Sequence, residues 1–167
     1  RAEAFELGDV SLGEARRVLH ETIEDAGRHI DDDAVEEAAA ATGGYPFMIQ
    51  LVGYHIWRKA DKEVIDMNAV TQGMPGARRR LGTLVHATTL ADLSAVDRKF
   101  LTAMSLDDAE SSISDVAHRL NVSSNYAGQY RLRLIDAGVI HSAGSGLVDF
   151  SIPYLREYLR NIEIRPA

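Results

Sequence analysis

The sequence predicts a mainly α protein, in which a helical bundle is followed by a winged helix-turn-helix with a small β-hairpin as its wing. Two observations support this fold class. Apolar residues recur at helical spacing through most of the 167 residues, with glycine- or proline-containing breaks between segments. Residues 111–152 then show the order helix, tight turn, helix, glycine and hairpin. We expect the two domains to occupy residues 1–90 and 91–167.

The composition describes a globular protein with an acidic balance. Hydrophobic residues make up 46% and charged residues 26% of the chain, and the formal net charge is −7 at pH 7. No apolar run approaches the roughly eighteen residues that span a bilayer, and the first residues lack the pattern of a signal peptide. We therefore expect a cytoplasmic protein with no membrane partner. Because the sequence starts at Arg1 rather than methionine, we also expect it to be part of a longer protein.

Candidate chemistry is sparse in this sequence. The absence of cysteine excludes disulfides and thiolate metal sites. The six histidines show no metal-binding spacing, and His55 lies on an apolar face, where we expect a core histidine. The three aspartates at 31–33 are better explained as a helix start than as a metal site. We predict neither a metal site nor catalytic residues, so the chain is not expected to be an enzyme by itself.

The first two predicted helices have clear start signals. Ser11 and Glu14 have the spacing of a capping box at the start of the first helix, which runs to about Gly27. Its inner face is predicted to contain Leu12, Ala15, Val18, Leu19, Thr22 and Ile23. The second helix opens at residues 31–33 and ends at Gly43–Gly44.

Two further helical segments complete the first predicted domain. The third runs from about Tyr45 to Ala60, with Pro46 in its first turn, and is apolar over much of its circumference. The fourth continues from about residue 66 to residue 88. We expect a kink or break at Pro75, because proline removes a helical hydrogen bond.

The second domain begins with a helix capped by Ser94–Asp97. A short helix is predicted at residues 114–120, and residues 121–124 form a turn with a serine placed to cap the next helix. That helix, from Asn125 to Ala137, ends where Gly138 can adopt the left-handed conformation. This is the order of a helix-turn-helix.

The wing and a last helix follow. Residues 139–142 and 147–152 are predicted to be strands joined by the glycine-rich tip at residues 143–146. The tip contains neither lysine nor arginine, whereas a DNA-bound wing usually places a cation on DNA. Pro153 is expected to start the final helix.

Three stretches resemble the C-terminal half of P-loop ATPases of the AAA+/STAND type, especially archaeal and bacterial members with an initiator-like domain order. Residues 5–15 are similar to the join between the ATPase core and its helical lid. Residues 41–51 are similar to the lid segment that contains a sensor-2 arginine in many members. Residues 130–159 are similar to the terminal winged helix. The resemblance implies an upstream ATPase core as a partner and ATP with Mg²⁺ as ligands of the parent protein.

The chain departs from this family in two ways. It has no Gly-x-x-x-x-Gly-Lys-Ser/Thr loop to hold phosphates, so no cofactor is expected on the chain itself. Phe47 occupies about the place of the sensor-2 arginine. We therefore expect a non-catalytic part of an ATPase, whose lid couples the winged helix to the missing core.

The second helix of the helix-turn-helix contains the candidate DNA-binding residues. They are polar or basic residues at its start and along its outward face, namely Ser124, Asn125, Gln129, Arg131 and Arg133. Asparagine and glutamine can bind adenine edges, and arginine can bind guanine or phosphate. Double-stranded DNA is the partner that we favour. The alternative is a protein-docking, regulatory or oligomerisation module that contacts other proteins or a second copy of itself.

The charge distribution bears on both hypotheses. Residues 1–90 contain ten basic and fifteen acidic residues, while residues 91–167 contain eight and ten. The second domain is thus nearly neutral and could have a local basic face. The densest basic cluster, Arg78, Arg79 and Arg80, lies elsewhere. It is a candidate for phosphate contact, and the competing interpretation is a solvated helix face paired with acidic residues.

Overall fold

The computed structural model describes residues 10–61 and 63–163 and is mainly helical. Residues 5–9 of the predicted join lie outside these ranges. Among the described residues, no helix is both long and apolar enough to cross a bilayer. The chain divides between Leu81 and Gly82 into two compact units. This division precedes the boundary expected at residue 90, because Leu90 packs into the core of the second unit.

The described residues of the first unit form four helices and one pair of short strands. Its elements are α1 (Leu12–Asp25), β1 (His29–Ile30), α2 (Asp32–Thr42), α3 (Pro46–Lys59), β2 (Val64–Ile65) and α4 (Met67–Leu81). The strands pair in parallel, with His29 opposite Val64 and Ile30 opposite Ile65. Sequence patterns did not indicate these strands, since two residues are too few to show an alternating pattern.

The capping box predicted for α1 is confirmed. The Ser11 hydroxyl accepts from the backbone N–H of Glu14, and the Glu14 carboxylate accepts from the backbone N–H of Ser11. The buried face of α1 is narrower than predicted and consists of Ala15, Leu19 and Ile23. The other predicted positions are exposed, and Val18 and Thr22 line an apolar groove of about 320 Å³.

Of the kink or break expected at Pro75, the break was wrong, because α4 continues through this residue. Close packing against α3 accounts for this continuity. A Cβ added to Gly73 would lie 2.9 Å from the backbone nitrogen of Ile56, and one added to Gly76 would lie 2.5 Å from Nδ1 of His55. Contact along the helix thus outweighs the local cost of about 3 kcal/mol for an interior proline. The departure from α geometry comes later, in a π-helical turn at Gly82–His86.

The second unit begins with that π-helical turn and ends in a helix. Its further elements are α5 (Ala87–Asp92), α6 (Ala95–Ser105), β3 (Ser111–Ser112), α7 (Ile113–Leu120), α8 (Ser124–Asp136), β4 (Ile140–Gly144), β5 (Leu147–Phe150) and α9 (Leu155–Glu163). The final helix starts two residues after Pro153. Tyr154 has a positive φ of 61°, so the regular helix begins only beyond it.

The helices of the second unit pack around one core, against a small sheet. Phe100, Met104, Leu134 and Leu155 are fully buried within it. The sheet has the antiparallel order β3-β5-β4, so β3 extends the predicted hairpin to three strands. This scaffold fixes α7, α8 and the hairpin in one compact unit.

Candidate nucleic-acid interface

Local sequence fixes both ends of α8. Asn121 ends α7 in the left-handed conformation, with φ of 55°. The Ser123 hydroxyl then accepts from the backbone N–H of Tyr126 at 3.2 Å and caps α8. After the helix, Gly138 has φ of 68°, as its predicted role requires. Asn121 and Ser123 therefore define a short turn between α7 and α8, and Gly138 follows the end of α8.

The first two turns of α8 present a polar surface to solvent. Ser124, Asn125 and Gln129 are all exposed. Asn125 and Gln129 are four residues apart and therefore lie on the same helix face. A Cβ added to Gly128 would meet no atom within 4 Å, so the surface beside Gln129 is open. This face could receive a flat partner such as the edge of a base.

Arg133 is an exception among the predicted contact residues, because its guanidinium binds inside the unit. It forms an ion pair with the buried carboxylate of Asp97, and its Nη2 donates to the Ser94 hydroxyl at 2.9 Å. The guanidinium also lies 4.8 Å from the centre of the Tyr130 ring. The Arg133 side chain nevertheless stays 54% exposed, against 4% for Asp97. It connects α8 to the start of α6.

The pKa of Asp97 reflects this contact. Burial by itself would raise the pKa, but the hydrogen bonds from Arg133 and Ser94 outweigh it and hold the pKa below its usual value. Asp97 also completes the predicted capping box of α6, which is confirmed. One carboxylate thus caps α6 and anchors α8.

The Arg131 side chain also binds an acceptor within the second unit. Its Nη2 donates to the Ser142 hydroxyl on β4 at 3.3 Å, and its buried Nε has no hydrogen-bond partner. This contact connects α8 to the hairpin. Arg131 and Arg133 therefore brace α8 on opposite sides.

The four other arginines within residues 82–163 also donate hydrogen bonds to acceptors of the second unit. They are Arg98, Arg119, Arg156 and Arg160. All six described arginines of this unit, with Arg131 and Arg133, are thus bound within it. Many of these acceptors are backbone carbonyls or the carboxylates of Asp107 and Asp149. The arginines of this unit therefore contribute more to its packing than to an open basic face.

A large apolar side chain also lies on the outer surface of α8. Leu132 is 62% exposed, one turn after Gln129. Exposed leucines occur singly on many proteins. Here the position matters because Leu132 adjoins the polar face of Asn125 and Gln129.

The remaining basic candidates occupy the last turn of α4. Arg78, Arg79 and Arg80 are all exposed. His55, expected in the core, is instead half-buried with its ring against Gly76. Burial is the main cause that lowers the pKa of His55, and nearby cations on α3 and α4 add to the effect, namely Arg58, Arg79, Arg80 and Lys59.

Phe47 occupies the position at which the family resemblance suggests a sensor-2 arginine. Phe47 lies in the first turn of α3 and is half-buried. A phenyl ring provides no hydrogen-bond donor or positive charge for a phosphate. The residues at this position therefore do not fit a nucleotide contact, although the family resemblance places one nearby.

Sequence reasoning missed the role of Asp97 as the anchor of Arg133. The Ser94–Asp97 pattern predicted the cap but not the second partner, which lies 36 residues further along the chain. Helical spacing was the available signal, because Asp97 precedes Phe100 by three and Leu101 by four residues and so shares their apolar face. A carboxylate on a buried face needs a partner.

Comparison with known proteins gives a partial match. A domain family described as "Domain of unknown function (DUF8462)" matches residues 83–159, within the second unit. The chain is similar to the structure described as "Thermotoga maritima RuvB Holliday junction branch migration motor", with 16% identity, a TM-score of 0.42, and coverage of 96% of this chain and 51% of that one. A point mutant of RuvB from the same organism gives 18% identity, a TM-score of 0.43, and coverage of 93% and 50%.

The chain spans about half the length of these solved structures. No curated protein matches it. None of these comparisons assigns a ligand or partner to the residues described above.

Proposed function

We propose that the second unit is a winged helix-turn-helix that binds DNA and reads base edges with the first two turns of α8. In this proposal α7 and α8 form the helix-turn-helix, and the β4–β5 hairpin is the wing. The order of elements and the family resemblance of residues 130–159 support this assignment. The chain as a whole is then a non-catalytic part of an AAA+/STAND-type ATPase.

The exposed pair Asn125 and Gln129 carries this proposal. Helix-turn-helix proteins contact base edges with the N-terminal residues of the recognition helix. Both side chains lie in that part of α8 and are exposed, with open surface beside them at Gly128. Each carboxamide can both accept from N6 and donate to N7 of adenine. We therefore expect adenines within the preferred site.

The start of α8 supplies a further favourable contact. Its first turn contains no acidic residue. The positive end of the helix dipole is thus not neutralised by its own side chains and can face a phosphate. Ser124 lies in that turn and its hydroxyl can donate to the same phosphate.

Two of the predicted contact residues receive a different role in this proposal. Arg131 and Arg133 are positioning residues, since each already binds an acceptor in the unit. They hold α8 at a fixed orientation against α6 and β4. Rigid support of this kind favours base reading because the side chains keep a defined geometry.

The first unit would act as the lid between the winged helix and an ATPase core. ATP and Mg²⁺ would bind to that core, because the chain lacks a phosphate-binding loop and has Phe47 at the sensor-like position. The nucleotide state would reorient the lid and the winged helix with it. This coupling follows from the resemblance.

Selection from a pool of duplexes with a randomised centre tests base reading. We expect the wild-type chain to enrich an adenine-containing site. The double variant Asn125→Ala/Gln129→Ala should lose roughly tenfold or more of its preference for that site over an unrelated duplex, because each amide contact discriminates by about 1–3 kcal/mol. Fluorescence anisotropy gives both affinities.

A matched control exists in the first unit. Asn68 and Gln72 are also an amide pair four residues apart on an exposed helix face. Asn68→Ala/Gln72→Ala should leave the preference unchanged. Failure of the wild-type chain to select any site, or an equal loss in the control, would contradict base reading by α8.

Protein docking is the second candidate for the same surface, and Leu132 is the observation that favours it. Its 62% exposure beside neutral amides suits a protein surface better than phosphate. The engaged arginines of the second unit point in the same direction, since phosphate binding needs available cations. Absence of duplex binding at low salt would favour this candidate.

A further inference from the structure

We propose that the first unit binds the phosphate backbone of duplex DNA through a basic patch at the C-terminal ends of α3 and α4. The patch comprises Arg58 and Lys59 on α3 with Arg79 and Arg80 on α4, all of them exposed. Such contact is independent of base sequence. The proposal for the patch does not depend on base contacts by α8.

Close helix packing assembles the patch. The His55 ring lies directly against Gly76, where an added Cβ would be only 2.5 Å from Nδ1. Arg58 and Lys59 follow His55 by one helical turn, and Arg79 and Arg80 follow Gly76 by one turn. His55 is therefore close to both basic turns, and Arg58, Lys59, Arg79 and Arg80 all act electrostatically on its ring.

The helix dipoles alone do not explain this arrangement. Cations in the last turn of a helix are stabilised by the negative end of its dipole. That effect accounts for basic residues on each helix separately. It does not require both basic turns to lie beside the same histidine, where like charges repel one another and the surrounding cations disfavour protonation of His55. An anionic partner would relieve that repulsion.

One cation of the patch is already held in position. The Arg58 guanidinium donates to the Tyr54 hydroxyl at 2.8 Å and lies 5.5 Å from the centre of the Tyr54 ring. This neutral acceptor fixes the side chain without cancelling its charge. Arginine in such a position can bind a phosphate in bidentate fashion.

The spread of the patch favours a linear polyanion over a single phosphate. Cations one turn apart on a helix are separated by about 5–6 Å, and packed helices by about 8–10 Å. A duplex presents about one negative charge per 1.7 Å of its axis, so it can meet several of these cations at once. The rest of the described first unit contains more acidic than basic residues, so the patch also orients the approach of the duplex.

A salt series with the full chain tests the proposal. Fluorescence anisotropy with a fluorescein-labelled duplex of about twenty base pairs is measured from about 50 to 200 mM salt. Phosphate contacts by Arg58, Lys59 and Arg80 predict a slope of about −2.7 for the logarithm of the association constant against the logarithm of salt concentration. Lys59→Gln/Arg80→Gln should reduce the magnitude of this slope by about 1.8.

The matched control is Arg16→Gln/Arg17→Gln, which makes the same change in net charge on α1. It should keep the wild-type slope. An equal loss in this control would show a general charge effect and overturn the proposal, as would absence of duplex binding at 50 mM salt. Binding to phosphatidylserine vesicles but not to the duplex would also overturn it. Thermal melts of both variants confirm that each is folded.

The outcome for the patch is distinguishable from that for α8. Loss of the patch changes the salt slope for every duplex, whereas loss of Asn125 and Gln129 changes only the preference among duplexes. A wild-type slope in the patch variant would overturn the proposal, whatever the effect of Asn125→Ala/Gln129→Ala on base preference.

Discussion

The arginines of α8 and Arg58 at the end of α3 have opposite surroundings. Arg133 meets the buried carboxylate of Asp97, and Arg131 meets the Ser142 hydroxyl. Arg58 instead meets only a neutral tyrosine among its described hydrogen-bond partners, and it lies with other cations around His55. The first group stabilises a fold, and the second concentrates positive charge at a surface.

This difference shows that net charge is a poor guide to available charge. The half of the sequence up to residue 90 is the more acidic, with fifteen acidic against ten basic residues, yet it contains the basic patch. The second half is nearly neutral, yet its described arginines are engaged within the unit. The ability of an arginine to bind a ligand depends on which acceptors of the protein it already contacts.

Among the variants that test this difference, replacement of Asp97 should change the free energy of unfolding the most. Asp97→Ala removes the capping carboxylate of α6 and leaves Arg133 without its anchor. We expect a loss of about 2–3 kcal/mol in the free energy of unfolding, from the lost cap and the charged hydrogen bonds. Urea unfolding followed by circular dichroism measures it. A loss below about 0.5 kcal/mol would mean that α8 is held by other contacts.

The pH dependence of this variant provides an internal check. Because the folded state lowers the pKa of Asp97, its contribution to stability is present above the ordinary aspartate pKa of about 3.9. It is lost as the pH falls through the lowered folded-state value. The stability difference between wild type and Asp97→Ala should therefore shrink in acid. A difference that stays constant with pH would exclude the ion pair as its cause.

Removal of the arginine partner should have a smaller effect. Arg133→Ala is expected to lower the free energy of unfolding by less than Asp97→Ala does, because the Arg133 side chain is half exposed and the α6 cap remains. Urea unfolding again gives the value. In the salt series this variant should keep the slope of the wild type. A flattened slope would show that Arg133 contacts phosphate, and would remove the contrast with the patch.

The smallest effect on stability is expected within the patch itself. Arg80→Gln should change the free energy of unfolding by no more than about 0.5 kcal/mol, since Arg80 is exposed. The same variant should reduce the salt slope by about 0.9. A loss of unfolding free energy similar to that of Arg133→Ala would show that Arg80, like Arg133, stabilises the fold.

Sequence patterns predicted much of the helical layout. The Ser11–Glu14 and Ser94–Asp97 boxes depend on contacts within one turn, and both are confirmed. The Gly138 stop depends on one residue's backbone freedom and is also confirmed. The break at Pro75 was wrong because packing of α4 against α3 decided the outcome. Local rules hold where local contacts dominate.

The candidate site divides in the same way. Helical spacing was enough to place Ser124, Asn125 and Gln129 on an outer face, and all three are exposed. Spacing could not show that Arg131 and Arg133 turn towards β4 and α6, because their acceptors are 11 and 36 residues away in the sequence. A long side chain can reach either solvent or a neighbour, and only the neighbour's position decides.

The sequence by itself determined which segments are helical and where most of them begin, since caps, turns and apolar periodicity act over one or two turns. The tertiary structure decided which arginines are available to a ligand. Electrostatic energy depends on separation in space, and folding brings Asp97 to Arg133 and His55 of α3 to Gly76 of α4.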